Sequence, residues 1–396
     1  MTGKLKIGIL TQPLLHNYGG LLQAYALSRK LIELGHDPII IDRRKGSYNS
    51  RKELVSYYTQ RIFQSLSRRL KKANHPAHTG IISLTPAETS FIYKNTHAFR
   101  KKYFPNITQE IWNDWGMQKL NKQGFNAYIV GSDQCWRPEY PPHITNYFLD
   151  FAKNQKNIKR IAYAASFGTA QWEFSDTETA ICKELIQKFD AVSVREDSAI
   201  TLCRQYFHKE AVHVLDPTML WDTDFYNALI NENITEPNNG ELKVYILDPS
   251  ENISRLVDYV AHSLGLHAFE VMPSKRVQKN IAIDSQNLSA YQLPSPLQWL
   301  RGFKEAQFVI ADSFHGTVFS ILYNIPFLAV CNEKRGEARF TSLLKMFHLE
   351  GRLIKEFNLS DIDRIIHSPI DWAPINAQLK KEREFSLSFL QKHLSS

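Results

Sequence analysis

The sequence predicts two α/β domains, each built on a doubly wound parallel sheet. The chain has 396 residues, which is enough for two domains of ordinary size. Short apolar runs alternate with longer stretches of helical periodicity, as strands and helices do in parallel sheets. A polar, turn-rich segment at 231–240 separates one such series from a second and predicts a linker.

The first domain, residues 1–230, begins with a strand, a helix and a second strand. We predict a strand at 5–10, a polar turn at 11–20, a helix at 21–34 that stops at Gly35, and a strand at 38–42. This unit is typical of parallel sheets. Further strands are predicted at 127–130, 160–165, 191–194 and 212–215, with a helix at 177–188.

The second domain, residues 241–370, repeats the alternation. Strands are predicted at 242–247, 267–272, 308–311 and 327–330, with helices at 253–264, 297–303 and from 316 onwards. The last residues, 371–396, predict a helix that could cross back to the first domain. In such folds, ligands bind at the carboxyl ends of strands and in the cleft between domains.

Composition limits the classes of protein to which the chain can belong. Hydrophobic residues make up 43% and aromatic residues 12%, as in an ordered globular protein. The four cysteines form no CxxC pair, so neither a zinc site nor a disulfide framework is expected. No signal peptide and no apolar run of about 20 residues is evident, and we expect a cytoplasmic protein.

A basic segment at 43–72 carries ten Lys and Arg against one acid, Glu53. The rest of the chain is nearly neutral, so we expect one local anionic partner and no nucleic acid. Within the segment, apolar residues recur at helical spacing: Tyr58, Ile62, Phe63, Leu66 and Leu70. This pattern fits a helix on an anionic membrane surface. It fits equally a helix that packs on the protein with its charges in water.

The segment 309–317 reads as a short strand, a polar turn and the start of a helix. Helix N-termini bind anions through unpaired N–H groups, so Ser313 and Gly316 are candidate binding residues. His315 at that turn can hold or transfer a proton near pH 7. The alternative is a structural histidine.

Two loops of the first domain follow predicted strands. In the loop 16–20, paired glycines next to Asn17 and Tyr18 let the backbone approach a ligand, although a tight turn also needs glycine. The loop is neither a GxGxxG motif nor a P-loop. In the loop 131–138, Asp133 and Gln134 suit sugar hydroxyls and Trp136 could stack on a sugar face. Alternatively, Asp133 caps a helix.

Three arginines are placed to bind an anion. Arg195 follows the strand 191–194 and could grip a carboxylate or phosphate with two donors, or pair with Glu196 on the surface. Arg335 and Arg339 follow the strand 327–330 and are four residues apart, so they face the same way if the loop is helical. A charged loop there could also be merely solvated.

Six segments together resemble the polysaccharide pyruvyl transferase family. They are 17–27, 130–136, 193–196, 215–218, 312–317 and 335–339, in the family's order. Many members have Arg-Leu-His where this chain has Ser313, Phe314 and His315, so an arginine contact at 313 is absent. The resemblance implies a GT-B-like architecture of two Rossmann-like domains. It also implies phosphoenolpyruvate as donor, a sugar of a bacterial surface glycan as acceptor, and a cyclic pyruvate ketal as product.

The resemblance also assigns roles to the candidate residues. His315 is expected to be the general acid or to protonate the departing phosphate, and Asp133 a base or hydroxyl-binding group on the other domain. The remaining expected site residues are, for the donor, Arg195, Ser313, Gly316, Arg335 and Arg339, and, for the acceptor, Asn17, Tyr18, Gly19, Gln134 and Trp136. No metal and no cofactor is expected, since phosphoenolpyruvate is a co-substrate.

The expected acceptor is a hexose, galactose in the first instance, of a capsule or exopolysaccharide precursor linked to polyprenyl diphosphate. The basic segment 43–72 would then hold the enzyme as a peripheral protein at the inner face of the membrane. Two other functions stay open at this point. The chain could be a GT-B glycosyltransferase that uses a nucleotide sugar, or a non-catalytic glycan-binding protein.

Overall fold

The computed structural model describes residues 3–15, 17–45, 84–104, 106–232, 237–277, 281, 283–332 and 336–395. Arg335 therefore lies outside the described residues, and so does the basic segment apart from 43–45. Across the described ranges, no helix combines the length and the apolar character needed to span a bilayer.

The first sheet is parallel throughout. Its strands are Lys6–Leu10 (β1), Asp37–Ile40 (β2), Ala127–Val130 (β3), Lys159–Ala165 (β4), Ala191–Val194 (β5) and Val212–His213 (β6), in the order β2-β1-β3-β4-β5-β6. β3 and β5 are buried along their whole length, as helices on both faces require. The strand order reverses between β1 and β3, which is where such sheets bind ligands.

The second sheet is also parallel. Its strands are Leu242–Tyr245 (β7), Ala268–Glu270 (β8), Phe308–Ala311 (β9), Phe327–Val330 (β10) and Leu353–Ile354 (β11), in the order β11-β10-β9-β7-β8. Here the order reverses between β7 and β9. The loop that follows β9 carries His315, so this histidine lies at the second switch point.

Helices flank both sheets and connect their strands. Their bounds are Tyr18–Glu33 (α1), Pro86–Ile92 (α2), Lys94–Tyr103 (α3), Asp114–Lys119 (α4), Asp176–Ile186 (α5), Asp197–Leu202 (α6), Thr223–Asn231 (α7), Glu251–Leu264 (α8), Pro296–Glu305 (α9), Phe314–Leu322 (α10), Ala338–Met346 (α11), Leu359–His367 (α12) and Trp372–Ser395 (α13). Side-chain caps fix several starts, for example Thr85 with Glu88 at α2.

The glycine pair predicted to form a turn lies instead in the first turn of α1. Asn17 caps this helix, and its side-chain oxygen accepts the Gly20 N–H at 3.1 Å. The cap satisfies an N–H group that the helix leaves without a partner and moves the start of the helix to Tyr18. The prediction of a helix from 21 was therefore three residues late.

Short strands account for the other differences in the second half of the chain. β11 has two residues and no periodicity from which to predict it. β6, β7 and β8 each end two residues before their predicted ends. Element boundaries of this kind depend on tertiary contacts and not on local pattern.

The two sheets share an apolar core, and the chain crosses between them more than once. Ile9 of the first sheet and Val309 of the second belong to the same buried cluster. Within α1, the Tyr18 hydroxyl donates to the Pro294 carbonyl at 2.8 Å. The C-terminal helix α13 returns to the first sheet, where the Ser386 hydroxyl accepts the Leu215 N–H at 2.9 Å.

The first two residues of the basic segment do not fit a membrane-facing arm. Arg43 is fully buried and donates to the Asn146 side chain at 2.9 Å. Arg44 is 4% exposed and pairs with Asp42 at 2.7 Å. Both arginines therefore hold the first domain together, and the predicted arm is corrected to begin no earlier than Lys45.

Candidate active site

The two switch points face each other across a cavity of about 350 Å³. It lies at the carboxyl ends of β1, β3 and β9, and both domains contribute to its walls. The lining residues include Gln12, Asn17, Gly20, Asp133, Gln134, Glu139, Tyr140, Leu247, Asp312, Ser313, Phe314, His315 and Arg339. The cavity therefore combines a histidine, an arginine and carboxylates in one place, as a reactive site does.

Arg195 is held by two buried aspartates at the floor of the first domain. One guanidinium nitrogen donates to Asp216 Oδ2 at 2.8 Å and the other to Asp133 Oδ1 at 3.3 Å. The three side chains are at most 5% exposed. Buried charges of this kind persist only when paired, so the three residues form one unit.

Asp216 is the most heavily coordinated member of this unit. Its Oδ1 accepts the Thr218 N–H and hydroxyl, and its Oδ2 accepts the Ser132 hydroxyl at 3.2 Å. Burial alone would raise the pKa of Asp216, but His315 and Arg195 outweigh burial and hold the pKa well below its usual range. Asp216 is therefore a carboxylate at any pH at which the protein functions.

The Asp133 carboxylate is likewise stabilised in its charged form. Burial would raise its pKa, yet the cations Arg195, His315 and Arg339 together lower it. Asp133 has a positive φ of 73° and follows β3, which aims its carboxylate at the cleft. Asp133 caps none of the described helices. Its own Oδ1 accepts the N–H of the next residue, Gln134, at 2.9 Å.

His315 lies in the first turn of α10, between the two domains. Its Nε2 is buried and faces Asp216 Oδ2 at 3.5 Å, an ion-pair distance when the ring is protonated. The other nitrogen, Nδ1, faces the start of α1. A Cβ atom on Gly19 would lie 2.0 Å from Nδ1, so only glycine admits the imidazole there. Gly19 was predicted to contact the acceptor; its closest contact is instead His315.

Arg339 is the arginine in the cavity wall. It begins α11 from the second domain and is 7% exposed. Burial lowers its pKa to about 10, and the nearby Arg195 adds to this effect. A desolvated guanidinium beside a second one favours an anionic ligand. The cluster therefore offers one anion-binding position at Arg339, close to the N-terminus of α10.

Arg195 does not occupy the substrate-binding position that was predicted for it. Its two terminal nitrogens donate to Asp216 and Asp133, and the Phe314 ring covers it at 4.3 Å from ring centre to guanidinium carbon. The described lining of the cavity includes Phe314 and Arg339 but not Arg195. The prediction is corrected accordingly: Arg195 fixes the two aspartates and does not contact the ligand directly.

Two predicted acceptor residues, Trp136 and Tyr18, do not line this cavity, although Tyr18 lines a neighbouring one. Trp136 is fully buried, stacks on Phe148 at 5.0 Å and donates its indole N–H to the Tyr147 carbonyl. No face of its ring is available to a sugar, so the predicted stacking is wrong. Tyr18 is 1% exposed, and its hydroxyl is used in the contact with Pro294 between the domains.

The remaining predicted residues lie at the cavity. Asn17, Gln134 and Ser313 all line it, and Ser313 occupies the cap position of α10. Gly316 packs against β9, where an added Cβ would come within 2.7 Å of the Ala311 side chain. The glycine therefore brings the first turn of α10 close to the sheet, and any role of Gly316 in anion binding would use its backbone alone.

Sequence reasoning assigned no role to Asp216, Glu196 or Asp312. Asp216 stands between a strand and a proline, a position that signals a capped turn. Glu196 is fully buried and accepts the N–H groups of Phe167 and Gly168. Asp312 accepts the N–H groups that follow β7 and so joins two loops of the second domain. Only the buried surroundings distinguish these acids from solvated ones.

No group of three or more potential metal ligands occurs within the described ranges. Arg335, the other predicted donor-binding arginine, lies outside the described residues and stays a prediction.

Comparisons with known proteins identify the relatives of this chain. The structure resembles that of UGT89C1 from Arabidopsis thaliana complexed with UDP-L-rhamnose, with a TM-score of 0.52, 10% identity and full coverage of both chains. The complex of UGT89C1 with quercetin gives a TM-score of 0.50 at 9% identity, again with full coverage. A UDP-GlcNAc 2-epimerase from Neisseria meningitidis gives 0.49 at 9% identity, covering 98% of this chain and all of the other.

These likenesses show the fold alone, which is the GT-B-like arrangement predicted from the sequence. A search of curated proteins found no match. The family profile described as polysaccharide pyruvyl transferase matches residues 17–333, a range that runs from the cap of α1 to beyond β10. The chain therefore belongs to the polysaccharide pyruvyl transferase family, and it is a transferase enzyme that acts in pyruvyl transfer to polysaccharide.

Proposed function

We propose that the enzyme transfers pyruvate from phosphoenolpyruvate to a hexose as a cyclic ketal and releases phosphate. The acceptor in this proposal is a galactose residue of a lipid-linked capsule or exopolysaccharide precursor. One observation carries the proposal: His315, Arg339 and Asp133 meet in a single cavity between the two domains. The reaction needs a general acid, an anion-binding group and a hydroxyl-binding group. In this proposal His315, Arg339 and Asp133 fill these roles in that order.

The donor carries a carboxylate and a phosphate, which suit the second-domain side of the cavity. Arg339 offers a charged guanidinium, and the first turn of α10 offers backbone N–H groups beside Ser313. Arg195 contributes to the positive field from behind the Phe314 ring without contacting the donor. The proposed reaction uses no cofactor.

His315 is the proposed general acid, and Asp216 positions it. Asp216 Oδ2 lies 3.5 Å from His315 Nε2, the distance of an ion pair with an imidazolium, and both side chains are buried. The ring lies between Asp216 and the start of α1, and the His315 side chain lines the cavity. An imidazolium prepared in this way can protonate the vinyl carbon of the donor.

Protonation of the vinyl carbon makes C2 electron-poor, and the first sugar hydroxyl then attacks it. Phosphate leaves as the second hydroxyl attacks the same carbon, which closes the ketal ring. Of the two hydroxyl protons, one replaces the proton that His315 gave and the other leaves with phosphate. Asp133 suits binding of these hydroxyls better than proton abstraction, because its lowered pKa makes it a weak base.

The test is phosphate release from phosphoenolpyruvate with a panel of lipid-like galactosides, glucosides and N-acetylhexosaminides. We expect release that depends on one acceptor class, together with ketal formation. Thermal stabilisation by nucleotide sugars, with no phosphate release from phosphoenolpyruvate for any acceptor, would contradict the proposal and favour a glycosyltransferase.

A further inference from the structure

A second cavity, of about 500 Å³, adjoins the active site and has no part in the chemistry above. It lies beyond the carboxyl ends of β7 and β8, where parallel sheets bind ligands. Asn17 and Leu247 line both cavities, so the two spaces share one boundary. A ligand in the catalytic cavity that extends past Asn17 therefore enters the second one.

The walls of the second cavity combine apolar and polar side chains. Leu247 and Met272 provide the apolar surface, and Asn17, Asp248 and Arg276 provide planar polar groups. A pyranose ring has the same combination, with an apolar face of C–H groups and hydroxyls around its edge. Pockets for small ligands combine apolar walls with a few placed polar groups in this way.

The charges of this cavity do not favour an anion. Its described lining holds one cation, Arg276, and one anion, Asp248. Arg276 already donates from both terminal nitrogens to the carbonyls of Leu247 and Ile246. A diphosphate or a phospholipid headgroup needs an excess of positive charge, which these residues do not supply.

We propose that this cavity binds the sugar residue next to the accepting hexose, so that the enzyme recognises at least a disaccharide unit of the acceptor. The proposal rests on the proposed function, because it takes the hexose in the catalytic cavity as the point of attachment. It adds a specificity site, at Met272 and Asp248, to the catalytic residues.

Binding is measured by calorimetry with matched pairs of neutral glycosides. The pairs are methyl β-galactoside and methyl β-lactoside, methyl β-glucoside and methyl β-cellobioside, and methyl β-N-acetylglucosaminide and methyl β-chitobioside. Without phosphoenolpyruvate, so that no transfer occurs during the titration, we expect at least one disaccharide to bind about tenfold or more tightly than its monosaccharide. A wild-type enzyme that gains nothing from the second sugar in any pair overturns the proposal.

Met272→Trp fills the cavity, and Met272→Leu is the control of similar volume. We expect Met272→Trp to abolish the disaccharide advantage, with unchanged affinity for the monosaccharide. Val277 is 39% exposed at the rim, so Val277→Trp provides a second obstruction that spares the core. The sugar site is refuted if neither tryptophan variant affects disaccharide binding. It is also refuted if both variants weaken the binding of inorganic pyrophosphate instead.

Turnover separates this proposal from the proposed function. If phosphoenolpyruvate is never consumed with any acceptor, the proposed function fails. The binding measurement does not depend on turnover, so it tests on its own whether the second cavity binds a sugar.

Discussion

At the scale of single residues, the account depends on how tightly His315 is enclosed. Asp216 lies 3.5 Å from the ring nitrogen Nε2, and Gly19 of α1 packs against the other nitrogen, Nδ1. Neither neighbour was evident as a partner of His315 from the sequence, because both lie far from it along the chain. His315 and Asp133 were predictable as polar residues at strand ends, whereas the pairing of His315 with Asp216 required the fold.

Gly19→Ala should lower activity by about 10²-fold or more, the scale of a lost general acid. The added methyl would occupy the space of Nδ1 and displace the imidazole from Asp216. Gly20→Ala is the comparison in the same helical turn, since its methyl would lie an ordinary 3.4 Å from Asn17. Gly20 also borders the cavity, but we expect a much smaller loss. Equal activities of the two variants would contradict the enclosure of His315.

Asp216→Asn should lower the rate about tenfold or more while the protein stays folded. The amide keeps an oxygen for Arg195 but no longer holds a charge beside His315. We therefore expect the loss to appear in kcat, with little change in the KM for phosphoenolpyruvate. Ser132→Ala removes another contact to the same carboxylate oxygen and serves as control. A change in KM with kcat unaffected would argue against the positioning role.

At the scale of elements, the strands were largely predictable because buried parallel strands read as continuous apolar runs. The loops between them were not. Trp136 and Arg195 both follow such strands, yet one packs in the core and the other pairs with aspartates. The sequence indicates which residues follow a strand, but the direction in which a loop turns depends on tertiary packing.

β7 contains a buried lysine whose cost should be measurable. Lys243 is fully buried, has no hydrogen-bond acceptor in the described structure, and lies 4.6 Å from the Phe303 ring centre. Burial lowers its pKa to about 7. Between about pH 7 and 10 the unfolded chain binds more protons than the folded one, so stability rises with pH there. Below about pH 7 the amine is charged in both states, and the cost remains complete.

Lys243→Met should therefore raise the free energy of unfolding at pH 6 by on the order of 4 kcal/mol, with the gain shrinking toward pH 10. Urea unfolding at several pH values measures this difference. Lys304→Met, at an exposed lysine of α9, changes the net charge equally and should leave stability almost unchanged. A gain that does not depend on pH would show that Lys243 is not the titrating group.

At the scale of the whole molecule, two sheets share a core and α13 crosses back to the first. The two-domain architecture was predictable from the alternation of strands and helices. The packing that brings the switch points together was not, since it arises from contacts such as Tyr18 with Pro294. The cavity is therefore a property of the assembled pair of domains.

The basic segment bears on where such a molecule would work. With Arg43 and Arg44 buried, eight Lys and Arg of the segment remain for the proposed membrane surface. We expect neutralisation of Arg68, Arg69, Lys71 and Lys72 to reduce flotation with vesicles that contain anionic lipid. Neutralisation of three exposed lysines of α13 is the control: Lys380, Lys381 and Lys392. Equal recovery of all proteins with the vesicles would refute the membrane role.

The most direct test of the central claim is the product of a reaction in D₂O with phosphoenolpyruvate and the best acceptor of the panel. Proton delivery from solvent through His315 to the vinyl carbon predicts a cyclic ketal whose methyl group carries one deuterium, seen by NMR and mass spectrometry. His315→Gln should form this product about 10²-fold more slowly or not at all. A ketal with no deuterium in its methyl group, or one formed at the wild-type rate by His315→Gln, would contradict the account.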